Sequence, residues 1–227
     1  MKVKEPAGST LPTVALISGR GSNLQALIEQ MQAGALPVEI RAVISNRPRA
    51  PGLEHARRAG LVTHVLEHLD YPTRESFDNA LQALIDRYRP ALVVLAGFMR
   101  ILSPAFVAHY RGRLLNIHPS LLPAYPGLRT HERAVAERAA EHGASVHFVT
   151  DELDGGPVIV QAAVPVHPDD DAERLAARVL EQEHRLYPAA VRWFAQGRLQ
   201  LDGNRVRLDG RLLDAPVRLS DAETAGP

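Results

Sequence analysis

Short apolar runs alternate along this chain with longer segments in which apolar residues recur at helical spacing. Two of the runs, Val14–Ser18 and Leu92–Ala96, are almost continuously apolar, which is typical of strands buried on both faces. Further strands are predicted at Ile40–Ser45, Thr63–Leu66, Leu114–His118, Ser145–Val149 and Val158–Val166. Helices are predicted over Ser22–Ala33, Leu53–Ala59, Arg74–Tyr88, Ala105–Tyr110, Arg129–Ala140 and Ala172–Ala195, the last kinked or ended at Pro188.

This alternation predicts an α/β fold: a Rossmann-like, open, mainly parallel sheet with helices on both faces. After Leu199, the pairs Asp202-Gly203 and Asp209-Gly210 separate short polar strands, which indicates a small C-terminal β-meander. We therefore expect one domain over residues 11–200 and a hairpin tail over 201–227 that packs on it. The small, polar ends, Met1–Thr10 and Ser220–Pro227, are expected to fray.

Composition narrows the classes of function. Lys plus Arg and Asp plus Glu both number 26, so the chain has no basic excess for a nucleic-acid partner. The absence of cysteine excludes disulfides, a thiolate nucleophile and iron–sulfur clusters. The longest apolar run, Ala91–Met99, falls far short of the ~20 residues that span a bilayer, and no signal-like segment follows Met1. We expect a cytoplasmic protein that does not enter a membrane.

A glycine-containing loop follows the first predicted strand and opens a helix. Its residues Gly19 to Asn23 could hold a phosphate on exposed backbone N–H groups at the helix N-terminus. A tight turn with a capping serine is the alternative interpretation. A dinucleotide is disfavoured, because a third glycine is missing and the second strand ends in Ser45-Asn46-Arg47 rather than in an acidic residue.

Two polar residues share one face of a predicted strand. In Leu114–His118, alternation places Asn116 and His118 together, and Pro119 ends the strand just after them, at the rim where open α/β sheets bind ligands. A structural, hydrogen-bonded histidine remains possible at such a position.

An acidic loop, Asp151 to Gly156, follows the predicted strand Ser145–Val149. If the strands are parallel, this loop leaves at the same rim, and a carboxylate beside His118 would favour the imidazolium. A solvated turn is the alternative, and the ligand pattern of a calcium loop is incomplete.

Other segments carry weaker signals. Gly97 to Leu102 could wall a flat aromatic ligand or could be plain core, and Glu183 is by default a surface residue of a helix. The histidines form no zinc motif, and no Gly-x-Ser-x-Gly elbow provides a covalent nucleophile. We predict no metal site.

Several motifs occur in the order found in the folate-dependent phosphoribosylglycinamide formyltransferase family, and from Val14 to Gly197 the chain resembles it closely. These motifs are Gly21-Ser22-Asn23, the Leu95–Leu102 run, Asn116-Ile117-His118-Pro119-Ser120-Leu121-Leu122-Pro123, Tyr125-Pro126-Gly127 and Asp151-Glu152-Leu153-Asp154-Gly155-Gly156. The resemblance implies formyl transfer from 10-formyltetrahydrofolate to the amine of glycinamide ribonucleotide, in de novo purine synthesis. It implies small-molecule substrates and no metal, and we expect a monomer or a homodimer.

The resemblance also implies roles for individual residues. Gly21, Ser22 and Asn23 would hold the phosphate, and Glu183 would contact the ribose. The catalytic set would be Asn116, His118 and Asp154. Asn116 is also expected in the folate wall, with Arg74, Met99, Arg100, Ile101, Leu102, Thr150, Asp151, Glu152, Leu153 and Asp154.

Three alternatives stay open. Formyltetrahydrofolate hydrolases resemble the chain through the same catalytic residues but usually carry an additional N-terminal domain. Methionyl-tRNA formyltransferases carry a further C-terminal domain, and their motif after Ser-Leu-Leu-Pro contains Arg-Gly, where this chain has Tyr125-Pro126-Gly127. A non-catalytic nucleotide-binding module is the third.

Overall fold

The structure is a computed structural model and describes residues 10–219. Its strands are β1 Leu11–Ile17, β2 Val38–Ser45, β3 Thr63–Val65, β4 Leu92–Leu95, β5 Leu114–His118, β6 Glu141–Phe148, β7 Val158–Pro165, β8 Leu199–Asp202, β9 Arg205–Leu208, β10 Arg211–Leu212 and β11 Val217–Arg218. Its α-helices are α1 Ser22–Gln32, α2 Gly52–Arg58, α3 Arg74–Asp86, α4 Pro104–His109, α5 Thr130–Ala136 and α6 Ala172–Ala195.

The central sheet has eight strands in the order β11-β7-β6-β5-β4-β1-β2-β3. Neighbours pair in parallel except at β5–β6 and β6–β7, so β6 alone runs against the other strands of this sheet. The predicted fold class, an α/β fold with a mainly parallel sheet and a small C-terminal antiparallel sheet, is confirmed.

Strand alternation divides the hydrophobic core into two layers, one on each face of the sheet. On β1, Ala15 and Ile17 pack with apolar residues of α1, α2 and α6, whereas Val14 and Leu16 pack with those of α3 and α4. Both sides of the central strands are therefore covered, which explains their nearly continuous apolar sequence.

One predicted helix ends earlier than expected. The helix predicted over Arg129–Ala140 ends at Ala136, because Arg138 adopts a left-handed conformation with φ 52° and Ala139 N–H bonds back to Ala134 O. The chain is then free to begin β6 at Glu141.

The long helix α6 does not end at Pro188. It continues to Ala195, with Tyr187 and Val191 buried on either side of the proline. The Tyr187 hydroxyl lies 2.9 Å from Leu95 O and 3.0 Å from Leu115 O, which ties α6 to β4 and β5. Core packing outweighs the one backbone hydrogen bond that a proline removes.

The C-terminal segment forms the antiparallel sheet β10-β9-β8, as the two Asp-Gly pairs predicted. Asp209 and Gly210 both have positive φ, 50° and 79°, as in the tight turns that favour this dipeptide. The chain then returns as β11 to pair in parallel with β7 at the edge of the main sheet. The boundary between a domain and a tail near residue 200 stays a prediction, and the expected fraying concerns segments that, Thr10 apart, lie outside the described residues.

Within residues 10–219, no helix combines the length and the apolar character needed to cross a bilayer.

Replacing Tyr187 by phenylalanine should lower the free energy of unfolding by about 1–2 kcal/mol, because a buried hydroxyl that reaches two strand carbonyls is lost. Denaturant titration of the purified protein measures this change. Tyr71→Phe serves as the control, since no hydrogen bond of the Tyr71 hydroxyl is found among the described residues. Equal stability of the two variants would contradict the bridging role of Tyr187.

Candidate active site

The carboxyl ends of β1, β4 and β5 meet at one rim of the sheet, where a cavity of about 560 Å³ opens between the Gly19–Asn23 loop and α6. Its lining includes Gly21, Ser22, Asn23 and Met99 from the predicted site, together with Glu183 from α6. A smaller pocket of about 100 Å³ lies around the Arg100–Leu102 turn and the Thr150–Asp154 loop. The predicted residues therefore divide between two pockets, except for His118 and Arg74, which line neither.

The glycine loop leads directly into α1. The first helical backbone hydrogen bond runs from Gln25 N to Gly21 O, at 2.8 Å, so the N–H groups of Ser22 to Leu24 have no helical acceptor. No side chain caps this terminus, so the capping-serine interpretation is wrong here. Free N–H groups at the positive end of a helix form an anion site.

Gly52, which the sequence did not single out, packs against this loop. Gly21 has φ 76°, and a Cβ on it would lie 2.5 Å from the Cα of Gly52, the first residue of α2. A Cβ on Gly52 would in turn lie 2.9 Å from Gly21 Cα and 2.8 Å from the Ile17 side chain. Gly52 N–H also donates to Gly19 O at 3.0 Å. The shape of the loop thus depends on close contact between two glycines. The one feature of the sequence that could have indicated this contact is the presence of a glycine at the start of α2.

Asn23 and Glu183 form a buried pair across the cavity. Asn23 Nδ2 donates to Glu183 Oε2 at 2.5 Å, and Asn23 Oδ1 is buried with no hydrogen-bond partner. Burial raises the pKa of the Glu183 carboxyl, against the lowering effect of the Asn23 hydrogen bond. Glu183 is therefore not the surface residue that its helix alone suggested. Its carboxyl lines the cavity and provides acceptors that suit hydroxyl groups.

Apolar and polar residues together line the smaller pocket. Leu95, Phe98, Val107 and Val149 supply apolar surface, and Asn116 and His147 are among the polar residues. The remaining predicted folate-wall residues that line it are Arg100, Ile101, Leu102, Thr150, Asp151, Glu152, Leu153 and Asp154.

Two residues of the predicted folate wall do not line the smaller pocket. Met99 lines the larger cavity instead. Arg74 is the exposed first residue of α3, it pairs with Glu75 at 3.3 Å, and it lines neither pocket.

Cross-strand pairing supplies a partner for Asn116. On β6, His147 lies directly opposite Asn116, and Ser145 lies opposite His118. Side chains directly opposite in an antiparallel pair share a face, and the Asn116 amide nitrogen is 3.1 Å from His147 Nε2. Sequence reasoning missed His147, because its place beside Asn116 depends on the register of two strands.

His118 is held by polar groups on both ring nitrogens. Nε2 donates to Tyr125 O at 3.0 Å, and Nδ1 lies 3.5 Å from Asp154 Oδ2. The same Asp154 oxygen accepts from Gly127 N–H at 2.8 Å. The side chains of His118 and Asp154 are both less than 10% exposed, at 7% and 9%. The predicted trio Asn116, His118 and Asp154 thus lies together.

Asp154 reaches this position by a different route from the expected one. Because β6 is antiparallel to β5, its last residues lie beside Leu114, roughly 13 Å along the strand from His118. The expectation that the acidic loop leaves at the common rim is wrong. The segment 149–157 instead folds back along the sheet, and Asp154, with φ 52°, turns its carboxylate toward His118.

Buried polar groups fix the segment after His118. Ser145 Oγ donates to Ser120 O at 2.6 Å and accepts from Leu122 N at 3.0 Å. Gln161 of β7 donates to Leu122 O at 2.8 Å. The segment that follows His118 is therefore anchored to β6, the neighbour of β5, and to β7, the next strand of the sheet.

Two further histidines lie close to His118. The rings of His131 and His142 are 5.2 Å apart, and His142 also contacts the Tyr125 ring at 5.6 Å. His142 is fully buried, and neither of its ring nitrogens has a hydrogen-bond partner. Burial, with smaller effects from His131 and His118, lowers the pKa of His142 to about 4.

Among the described residues, no group of three or more histidine or carboxylate side chains is placed to hold a metal ion.

Comparison with known proteins places the chain in a family. Residues 12–191 match the formyl transferase family model, and the chain belongs to that family. It is 58% identical over 200 residues to the phosphoribosylglycinamide formyltransferase of Escherichia coli K12, an alignment that covers 88% of this chain and 94% of that protein.

Solved structures of related proteins support the same family assignment. The phosphoribosylglycinamide formyltransferase of Coxiella burnetii superposes with a TM-score of 0.89 at 53% identity, covering 93% of this chain and 100% of that one. A formyltetrahydrofolate deformylase from Pseudomonas putida gives a TM-score of 0.80 at 26% identity, covering 89% of this chain and 71% of that one. The resemblance to the family predicted from the motifs is confirmed.

Stability should fall as the pH is lowered from about 6.5 to 4. Burial lowers the pKa of both His142 and His147 from 6.5 to about 4, so the unfolded chain binds protons that the folded protein excludes. The stabilisation is complete above pH 6.5 and is lost as the pH falls toward the folded value.

His142→Phe keeps the ring contacts and removes one of these groups. We expect its free energy of unfolding to fall less steeply than that of the wild type, by up to about 3 kcal/mol at the acid end. Urea titrations between pH 7.5 and pH 4 compare the two slopes. Equal slopes would show that His142 does not exclude a proton in the folded state.

Proposed function

We propose that this protein transfers the formyl group of 10-formyltetrahydrofolate to the amine of glycinamide ribonucleotide, as a phosphoribosylglycinamide formyltransferase of the purine pathway. The observation that carries the proposal is the cluster of Asn116, His118 and Asp154 beside both pockets. Asn116 and Asp154 line the smaller pocket, His118 lies 3.5 Å from Asp154, and the next residue, Pro119, lines the larger cavity. The named relatives at 58% and 53% identity support it. We expect the reaction to take place in the cytosol.

The larger cavity suits a ribonucleotide. Free N–H groups from Ser22 onward would bind the phosphate, and the buried pair of Asn23 and Glu183 would meet the ribose hydroxyls. The smaller pocket suits the folate, because its apolar residues would contact a flat ring and the polar residues of the Thr150–Asp154 loop would pair with the ring edge.

The folate supplies the formyl group, whose carbon the neutral amine attacks, so negative charge develops on the formyl oxygen. Asn116 would donate to that oxygen from its amide. Since His118 Nε2 is engaged by Tyr125 O, Nδ1 is the nitrogen through which His118 would act. Asp154, beside Nδ1, would stabilise a proton there and help to pass the amine proton to the departing folate nitrogen.

Release of the formyl group from a 10-formylfolate, followed by absorbance, tests the proposal. We expect release that depends on glycinamide ribonucleotide. Release at the same rate without the ribonucleotide would identify a hydrolase, as the name of the P. putida relative suggests for that protein. Binding of the ribonucleotide without release would indicate a non-catalytic module.

Asn116→Ala and His118→Ala should each lower kcat by about 10²–10⁴-fold, the usual effect of losing an oxyanion donor or an acid–base group. Steady-state kinetics and thermal melts of both variants measure this. A variant that folds and keeps near-normal turnover would refute the role given to that residue.

Gly52→Ala should raise the KM for the ribonucleotide about tenfold or more, because the added methyl displaces the phosphate loop, while the KM for the folate stays nearly constant. Gly60→Ala is the matched control. Gly60, with φ 74°, is also strained by a side chain, but its Cβ would face open space. If both variants shift the ribonucleotide KM equally, the effect is general destabilisation and the loop argument fails.

A further inference from the structure

His147 is a buried histidine for which the proposed mechanism has no role. It lies on β6, 2% exposed, between Asn116 and Asp154. A histidine buried in a strand ordinarily has only a packing role in the core. Its hydrogen bonds show whether it also has a functional role.

The hydrogen bonds fix the tautomer of His147. Its Nδ1 lies 2.9 Å from Phe148 O, and because a carbonyl oxygen can only accept, Nδ1 carries a proton. Burial lowers the pKa of His147 to about 4, so the ring is neutral near pH 7. A neutral ring protonated at Nδ1 has a lone pair at Nε2, which is the atom that faces Asn116 at 3.1 Å.

That lone pair in turn fixes the Asn116 amide. Only the NH₂ group can donate to it, whereas a reversed amide would set Oδ1 against Nε2 and place two acceptors 3.1 Å apart. One amide hydrogen is committed to His147, and the second is available in the smaller pocket that Asn116 lines.

We propose that His147 is a positioning residue for formyl transfer, which acts by accepting from Asn116 Nδ2 and so holds the amide with its second N–H available to the formyl oxygen. The proposal rests on the function proposed above. His147 does not touch the reacting atoms, and its effect passes through Asn116.

Neutral His147 also does not compete with His118 for the carboxylate of Asp154. Asp154 Oδ1 lies 3.8 Å from His147 Nε2, beyond hydrogen-bond distance, while Oδ2 lies 3.5 Å from His118 Nδ1. A proton on His147 Nε2 would attract the same carboxylate and would also turn the amide of Asn116 around. The hydrogen bond from His147 Nδ1 to Phe148 O therefore keeps the Asn116 amide turned toward Nε2 and the Asp154 carboxylate beside His118.

A double-mutant cycle separates positioning from packing. His147→Leu removes the acceptor, and we expect kcat to fall about 10–100-fold with both KM values nearly unchanged. His147→Gln places an amide oxygen near the position of Nε2 and should recover most of this loss. In the Asn116→Ala background, His147→Leu should lower kcat no further, because the group that it positions is gone.

A packing role predicts a different result. His147→Leu would then lower kcat by the same factor in both backgrounds, in proportion to a lower melting temperature, and glutamine would not rescue it. Wild-type kcat in the leucine variant would also overturn the proposal.

Nitrogen-15 NMR of histidine-labelled protein at pH 7.5 tests the same arrangement without activity or mutation. We expect the His147 signals of a ring protonated at Nδ1 and unprotonated at Nε2. A proton on Nε2 would overturn the proposal even if every variant failed to fold. Absence of ribonucleotide-dependent transfer by the wild type would instead refute the proposed function, and the tautomer would still show whether His147 sets the Asn116 amide.

Discussion

Strand β5 lies where the sheet reverses direction, parallel to β4 on one side and antiparallel to β6 on the other. It carries two polar side chains, Asn116 and His118, into a largely buried region, where an unpaired polar group costs a substantial part of the stability of a domain. The antiparallel neighbour removes that cost. It places His147 opposite Asn116 and Ser145 opposite His118, and its connection to β7 brings Asp154 back to the ring of His118.

The two pockets are also joined by hydrogen bonds at the ends of the parallel strands. Ser18, the last residue before the glycine loop, accepts from Met99 N–H at 2.7 Å and donates to Asn46 Oδ1 at 2.5 Å. Met99 begins the turn that passes from the larger cavity to the smaller pocket. A transfer reaction needs its two substrates at a fixed separation, and this buried contact sets the distance between the loop and the turn.

Neutral buried histidines accompany this arrangement. His142 and His147 are both buried on β6, and a proton on either would be placed in a region with little water to solvate it. Neutrality makes the site dependent on pH, but it also lets His147 present a lone pair to the Asn116 amide. The same desolvation thus destabilises the protein in acid and orders the site at neutral pH.

The sequence by itself determined the periodic elements and much of the chemistry. Alternation of apolar runs and helical segments was sufficient for the fold class, and the spacing of Asn116 and His118 was sufficient to place them on one face, because both depend on local backbone geometry. The motifs from Gly21 to Asp154 identified the family, and the resemblance implied a contact of Glu183 with the substrate that its own helix did not suggest.

Only the tertiary structure decided the direction of β6, the end of α5 at Ala136 and the contact of Gly21 with Gly52. The residue pattern of a strand does not show whether it pairs in parallel or antiparallel. Packing between segments distant in sequence therefore decides the path of the Asp154 loop and the register that joins His147 to Asn116. For the same reason, the lone pair that faces the Asn116 amide could not be inferred from the residues around His147.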